Sequence, residues 1–174
     1  MPRWAAAKQW LKDNWFSIFA STLAFILSTT VNQGIDWYKD MQVLNATKIG
    51  LLNETKKNIA ATERINKAYI TFQNGCGKEI SINDKITRSL TLIPAGLSSD
   101  YYLSNSQKIS ELDEPLLDSV YAAYNTQELM LNTIPSIYSG GNEMNKDAIR
   151  EIYTLYCDYQ GKLQQLYFKL NLNK

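Results

Sequence analysis

The residues best suited to chemistry are three cations that follow a glycine-rich turn. The segment 74–78 reads Asn-Gly-Cys-Gly-Lys, and two further cations, Lys85 and Arg88, come shortly after Lys78. The backbone N–H groups of such a turn, together with a lysine ammonium, can bind a phosphate group. The spacing therefore predicts an anionic-ligand site at Lys78, Lys85 and Arg88, although the same residues also fit an ordinary loop followed by a solvated helix face.

The sequence has few of the residues and motifs that enzymes use for catalysis. The sequence contains no His, which excludes Ser-His and Cys-His nucleophile pairs and His-ligated zinc. It has no phosphate loop ending in Gly-Lys-Ser/Thr and no Gly-x-Ser-x-Gly motif. A group of carboxylates, Glu111, Asp113 and Glu114, precedes Pro115 and fits the N-terminus of a helix. We therefore expect no enzyme, no cofactor and no bound metal.

The net charge limits the expected binding partners, and the cysteine content bears on the cellular compartment of the domain. The formal net charge is +1, whereas a nucleic-acid-binding domain normally carries a strong basic excess, so we expect no duplex nucleic acid as a partner. Cys76 and Cys157 are the only cysteines. They fit one disulfide if the domain lies outside the cytoplasm, or two reduced thiols if it lies inside.

The element that organises the chain is an apolar run near the N-terminus. From Trp15 to Val31 no residue is charged, and a helix over this run is roughly 25 Å long, close to the hydrocarbon thickness of a bilayer. Trp15 and Trp37 stand where interfacial aromatic residues are expected. We predict one membrane-spanning helix, with residues 1–35 as the membrane segment and 36–174 as a soluble domain. A cleaved signal peptide is the alternative, but no small-x-small cleavage site follows the run.

One face of this predicted helix carries small and polar residues. They recur every three or four positions and therefore share a face: Ser17, Ser21, Ala24, Ser28 and Asn32. Small residues allow membrane helices to approach closely, and hydroxyl and amide groups can hydrogen-bond across the contact. The face predicts packing against other copies of the chain, as a homo-oligomer or around a pore. An ordinary anchor, in which serine and threonine are common, is the alternative.

The soluble domain has helical periodicity and no alternating run long enough to predict a strand. We predict an all-α fold in which the membrane helix continues as a stalk through residues 36–73. Further helices are predicted over 81–93, 115–134 and 145–170, and residues 95–113 read as a loop or a pair of short turns. The predicted architecture is a bundle of about four helices on a membrane stalk.

A short membrane-spanning helix, a stalk and a small helical domain without catalytic residues resemble the CRISPR-associated membrane ancillary proteins. The resemblance is one of architecture and size over the whole chain. It implies a membrane effector of antiviral defence whose cytosolic domain binds a cyclic oligoadenylate or assembles into an oligomeric pore. Type VI-linked members are described with a degenerate ribonuclease-like motif that ends in His, whereas this chain has Arg150 but no His.

The resemblance also implies a side of the membrane. A cytosolic domain makes the chain a single-pass protein of the inner (cell) membrane with two reduced thiols. Flanking charge does not decide this orientation, because cations stand on both sides of the run: Arg3, Lys8 and Lys12 before it, and Lys39, Lys48, Lys56 and Lys57 after it. The alternatives are a membrane-tethered helical binding or scaffold module without ligand gating, and an extracytoplasmic sensory subunit.

Overall fold

The computed structural model describes residues 3–68, 87, 90–138 and 145–172, and their regular structure is all helical, with no strand among them. This confirms the predicted all-α class. In chain order the α-helices are α1 (Arg3–Ala68), α2 (Ile93–Gly96), α3 (Asp100–Ser104), α4 (Ser106–Ile109), α5 (Glu114–Thr133) and α6 (Lys146–Leu172), and a 3-10 helix (Ile134–Tyr138) follows α5. The chain divides into two compact units, Met1–Val43 and Leu44–Lys174.

The first unit is the N-terminal part of α1. Residues 14–35, which we call the apolar segment, carry no charge and extend over roughly 33 Å at the helical rise per residue. The large side chains of the apolar segment, such as Phe16 and Phe25, are exposed. Its most apolar window has no buried residue. By length and composition, this helix is long and apolar enough to cross a membrane.

The second unit, which we call the bundle, packs three long helical segments together: residues 44–68 of α1, α5 and α6. Each contributes to two core clusters, and representative members are Leu51, Leu116 and Leu166 in one, and Ile65, Met130 and Ile152 in the other. Residue numbers rise from the first cluster to the second along α1 and α5 but fall along α6. The last helix therefore runs antiparallel to the other two.

The face of α1 that enters this core carries a stripe of apolar residues at helical spacing, of which Leu51, Leu52 and Ile65 are buried. Residues 44–68 of the predicted stalk are therefore one of the bundle's own helices. The second predicted helix, 81–93, falls largely outside the described residues, although Ile93 near its end is buried in the core. The described residues form three long helices, so the predicted count of about four is not confirmed.

The two C-terminal helices begin where the sequence predicts. The second residue of α5 is Pro115, a position at which its missing N–H would have no helical partner anyway. Asn145 caps α6, because its Oδ1 accepts hydrogen bonds from the backbone N–H groups of Asp147 and Ala148, each at 3.1 Å. The predicted stretch of loop and turns at 95–113 contains the short helices α3 and α4.

Candidate functional site

Of the two predicted sites, only one lies within the residues that the structure describes. Lys78, Lys85 and Arg88, the predicted anionic-ligand residues, lie outside the described residues, so their arrangement stays a prediction. The predicted packing face of the membrane helix, from Ser17 to Asn32, lies within α1 and is exposed along its whole length.

Several hydroxyl groups of the apolar segment find their partners within their own helix. Ser21 Oγ donates to the carbonyl oxygen of Ser17 at 2.8 Å. Thr22, Thr29 and Thr30 make the same bond to the carbonyl four residues earlier, at 2.7–2.8 Å. A hydroxyl satisfied in this way needs no neighbouring helix inside a bilayer. The packing face stays a prediction. The hydroxyl of Ser21 does not need a second helix, because its hydrogen bond is already made within α1.

The thiol at Cys157 on α6 is not reduced. Cys157 is disulfide-bonded, and no cysteine in the described part of the chain is free. The expectation of reduced thiols is therefore wrong for Cys157, while Cys76, the chain's only other cysteine, lies outside the described residues. The residue pattern allowed either redox state, and the reduced one came from the resemblance alone.

Glu54 of α1 is a carboxylate buried in the bundle, only 4% exposed. Its Oε1 accepts hydrogen bonds from the Tyr101 backbone N–H at 2.8 Å and the Ser98 hydroxyl at 3.0 Å. Its Oε2 accepts from the Tyr102 backbone N–H at 3.1 Å and the Tyr124 hydroxyl at 2.5 Å. These four donors replace water around the carboxylate and satisfy N–H groups at the start of α3 that have no helical partner.

Amide side chains extend this network to α5 and α6. Ser98 donates its backbone N–H to Asn58 Oδ1 and accepts a hydrogen bond from Asn58 Nδ2, both at 2.8 Å. Gln127 of α5 donates to the same Ser98 carbonyl at 3.4 Å and accepts from the Tyr159 hydroxyl of α6 at 3.0 Å. The three long helices thereby hold one segment, 97–99, and with it the start of α3.

A cavity of about 220 Å³ opens beside this network. We call it the tyrosine pocket, and its lining residues are Ser99, Tyr102, Leu103, Tyr124, Gln127, Glu128, Leu131 and Asn132. The rings of Tyr102 and Tyr124 stack, with centroids 4.2 Å apart and planes 5° from parallel. Glu54 holds both residues, Tyr102 by its backbone N–H and Tyr124 by its hydroxyl, so the aromatic wall is preorganised.

Several polar groups around the tyrosine pocket have no partner among the described residues. Within the part of the chain that the structure describes, no hydrogen bond or ion pair reaches the Glu128 carboxylate or the Tyr102 hydroxyl, and none reaches the side chains of Ser99 and Asn132. A largely apolar cavity with a few convergent polar groups is the usual form of a small-molecule site. The tyrosine pocket has this form.

The charges around the tyrosine pocket are negative. Glu128 belongs to its lining, Glu54 is bonded to its wall, and no Lys or Arg is among the lining residues that the structure describes. Burial, followed by Tyr121 and Glu128, raises the pKa of Tyr102. Burial, followed by the hydrogen bond to Glu54 and the charge of Glu54, raises the pKa of Tyr124 well above its usual value. Both phenols therefore stay neutral at physiological pH, and the pocket disfavours anions.

Two sequence signals point to this site. Glu54 and Asn58 stand within the apolar stripe of α1, and polar residues at core positions indicate a buried hydrogen-bond network. Gly50 is a glycine inside a helical run, which indicates a close approach of another element. The Tyr101 ring of α3 lies so close to it that a Cβ there would overlap the ring, and the Tyr101 hydroxyl donates to the Ala46 carbonyl at 3.3 Å.

What the described site offers is binding. It combines a preformed cavity, an aromatic wall and polar groups that are free to meet a ligand. Among the described residues, no group of three His, Cys, Asp or Glu side chains could hold a metal ion. Comparisons with protein-family models, curated proteins and solved structures found no match to this chain.

Proposed function

We propose that the chain is a membrane-anchored recognition protein whose bundle faces the oxidising side of a cell membrane. The observation that carries this proposal is the disulfide at Cys157, because structural disulfides persist outside the cytosol and are rare within it. The flanking cations do not decide the orientation, because they stand on both sides of the apolar segment.

The two compact units take separate roles in this proposal. The apolar segment anchors the chain, since its large apolar side chains are exposed and would be covered by lipid. The bundle recognises a ligand through the tyrosine pocket, because the wall of that cavity is fixed by Glu54 while Glu128 and Tyr102 keep free polar groups. Recognition without catalysis is what distinguishes this role from that of an enzyme.

Two matched cysteine substitutions test the orientation in intact cells that produce the full chain. Lys108→Cys places a thiol at an exposed position of α4, and Lys8→Cys places one at an exposed position before the apolar segment. A membrane-impermeant maleimide should label Lys108→Cys before lysis and Lys8→Cys only after it. Labelling in the opposite order would overturn the proposal.

A signal-gated antiviral effector is the second candidate. The feature that favours it is the exposed row of small and polar residues on α1, which could pack against other copies or line a pore. This candidate needs the bundle in the cytoplasm, where a cyclic oligoadenylate would reach Lys78, Lys85 and Arg88. Early labelling of Lys8→Cys would favour the effector, and early labelling of Lys108→Cys would exclude a cytoplasmic signal to the bundle.

A further inference from the structure

We propose that the tyrosine pocket binds an organic ammonium ion, that is, a primary or quaternary amine with a small apolar body. This inference deepens the proposed function, on which it rests, by naming the chemical class of the ligand. The cavity of about 220 Å³ is smaller than a typical drug site of roughly 300–1,000 Å³, so it suits a small molecule.

The first argument is the aromatic wall. Tyr102 and Tyr124 line the pocket as a stacked pair, and the electron-rich face of an aromatic ring attracts a cation that has lost part of its water. The Tyr124 ring is held by the hydrogen bond of its hydroxyl to Glu54, and the Tyr102 ring stacks on it, while Glu54 holds Tyr102 only by its backbone N–H. Preorganisation of this kind lowers the entropic cost of binding.

The second argument is the carboxylate of Glu128. It lines the pocket, and in the described part of the chain it forms neither an ion pair nor a hydrogen bond. Glu128 is exposed, as are Glu63 and Glu151, so its carboxylate is accessible to a ligand that enters the pocket. An unpaired carboxylate beside an aromatic wall offers an ammonium ion a counter-charge.

The third argument concerns the body of the ligand. Leu103 and Leu131 complete the lining of the tyrosine pocket, and both offer only carbon to whatever occupies it. A metal ion or an ammonium ion without substituents would leave these side chains uncovered, whereas methyl or short alkyl groups would bury them. The lining therefore favours a cation that carries apolar groups over a bare inorganic cation.

Calorimetric titration of the full chain in maltoside micelles tests this inference with three probes of similar shape and with butylammonium, a primary amine. Choline carries the charge, 3,3-dimethylbutan-1-ol is its neutral carbon isostere, and 3,3-dimethylbutanoate is an anion of similar size. We expect choline to bind about tenfold more tightly than the isostere, and the anion not to bind. Equal affinity for choline and its isostere would overturn the inference, as would the absence of saturable heat from both choline and butylammonium.

Variants assign the binding to this pocket. Glu128→Gln removes the charge at an exposed position and should weaken choline binding about fivefold, while Glu151→Gln, an exposed carboxylate of α6 outside the pocket, should not change it. Tyr102→Leu keeps apolar area but removes the ring and should weaken binding about tenfold. The tyrosine near-ultraviolet circular dichroism of each variant confirms that its bundle is folded. Unchanged binding in both Glu128→Gln and Tyr102→Leu would overturn the assignment.

An ammonium group could come from a free amine or from a lipid headgroup. Glycerophosphocholine separates these sources, because its phosphate would meet the negative field of Glu128 and Glu54. If glycerophosphocholine binds more weakly than choline, the site is supported and its ligand is a free amine. If glycerophosphocholine binds more tightly than choline, the site is supported and its ligand is a lipid headgroup. The titration in micelles does not depend on the orientation of the chain in a membrane. A cytoplasmic bundle would therefore overturn the proposed function without affecting the titration. A failed titration would overturn the ligand class without affecting the orientation.

Discussion

The apolar segment and the core-forming part of α1 belong to one helix but differ in how their apolar side chains are distributed around it. Residues 14–35 have large apolar side chains around most of the helix, outside the face that runs from Ser17 to Asn32, and these side chains are exposed. Residues 44–68 carry a one-sided stripe, and the large side chains of that stripe are buried in the bundle. The comparison shows that the distribution of apolar residues around a helix, rather than their number alone, indicates whether lipid or protein will cover it.

Polar groups differ between the two regions in the same way. In the apolar segment, the hydroxyls of Ser21 and Thr29 bond to carbonyl oxygens of their own helix. In the bundle, Glu54 and Asn58 bond to residues 40 or more positions away in the sequence. These two hydroxyls therefore find their partners within their own helix, whereas the Glu54 and Asn58 bonds depend on the tertiary structure of the bundle.

The two regions also carry different optical reporters. All four Trp residues lie in the first unit, at positions 4, 10, 15 and 37, whereas ten of the eleven Tyr residues lie in the bundle. Trp emission therefore follows the first unit, and tyrosine near-ultraviolet signals follow the bundle. The two signals can therefore be followed separately on the full chain in micelles.

Alkaline pH should affect the bundle most. Burial raises the pKa of Tyr124, Tyr156 and Tyr159 above the ordinary 10.0, so their neutral forms stabilise the fold fully below pH 10. Above pH 10 the unfolded chain loses these protons first, and stability should fall by about 4 kcal/mol per pH unit for the three together. We expect cooperative loss of the tyrosine signal with a jump in tyrosinate absorbance, while Trp emission is unchanged. Gradual ionisation to pH 12 without unfolding would contradict this expectation.

Removal of the buried carboxylate should have the next largest effect. Glu54→Ala leaves four donors, including the Tyr101 and Tyr102 N–H groups, without their acceptor, and should cost roughly 4 kcal/mol of bundle stability in urea unfolding. Glu63→Ala is the matched control, because Glu63 is an exposed residue of the same helix. Its cost should stay within about 0.5 kcal/mol. Similar losses in the two variants would mean that the Glu54 network is not what holds α3.

Two glycines give opposite predictions for the same substitution. Gly50→Ala would push the Tyr101 ring away and should destabilise the bundle by about 1–3 kcal/mol. Gly161→Ala places its Cβ in open space on α6 and should stabilise the bundle by about 0.5–1 kcal/mol, since alanine favours a helix. Thermal unfolding followed by tyrosine circular dichroism measures both. Stabilisation by Gly50→Ala would show that α3 does not pack on α1 as described.

The smallest effect is expected in the apolar segment. Ser21→Leu combined with Ser28→Leu should leave bundle stability and membrane insertion unchanged, because the Ser21 hydroxyl bonds to its own helix. The matched pair on another face, Leu23→Ile with Ile26→Leu, should behave identically. Dye leakage from vesicles and chemical cross-linking report any difference. Loss of assembly or leakage in the serine pair alone would favour the effector candidate over an anchor.

Periodicity and end signals were sufficient to predict much of the fold. The stripe of α1, Pro115 at the start of α5 and Asn145 before α6 are local patterns, and the structure agrees with each. The tyrosine pocket could not be predicted in this way. It forms where α3 meets α5, and its wall depends on Glu54, which lies 70 residues from Tyr124. The redox state of Cys157 was equally non-local, because it depends on a partner and a compartment.

The disulfide at Cys157 can be tested in the folded protein as it exists in cells. Intact cells are quenched with acid, the full chain is alkylated before and after reduction, and the Cys157 peptide is identified by mass spectrometry. We expect Cys157 to be alkylated only after reduction, because its sulfur is held in a disulfide. Complete alkylation of Cys157 without reductant would contradict an oxidised bundle and would favour a cytoplasmic location.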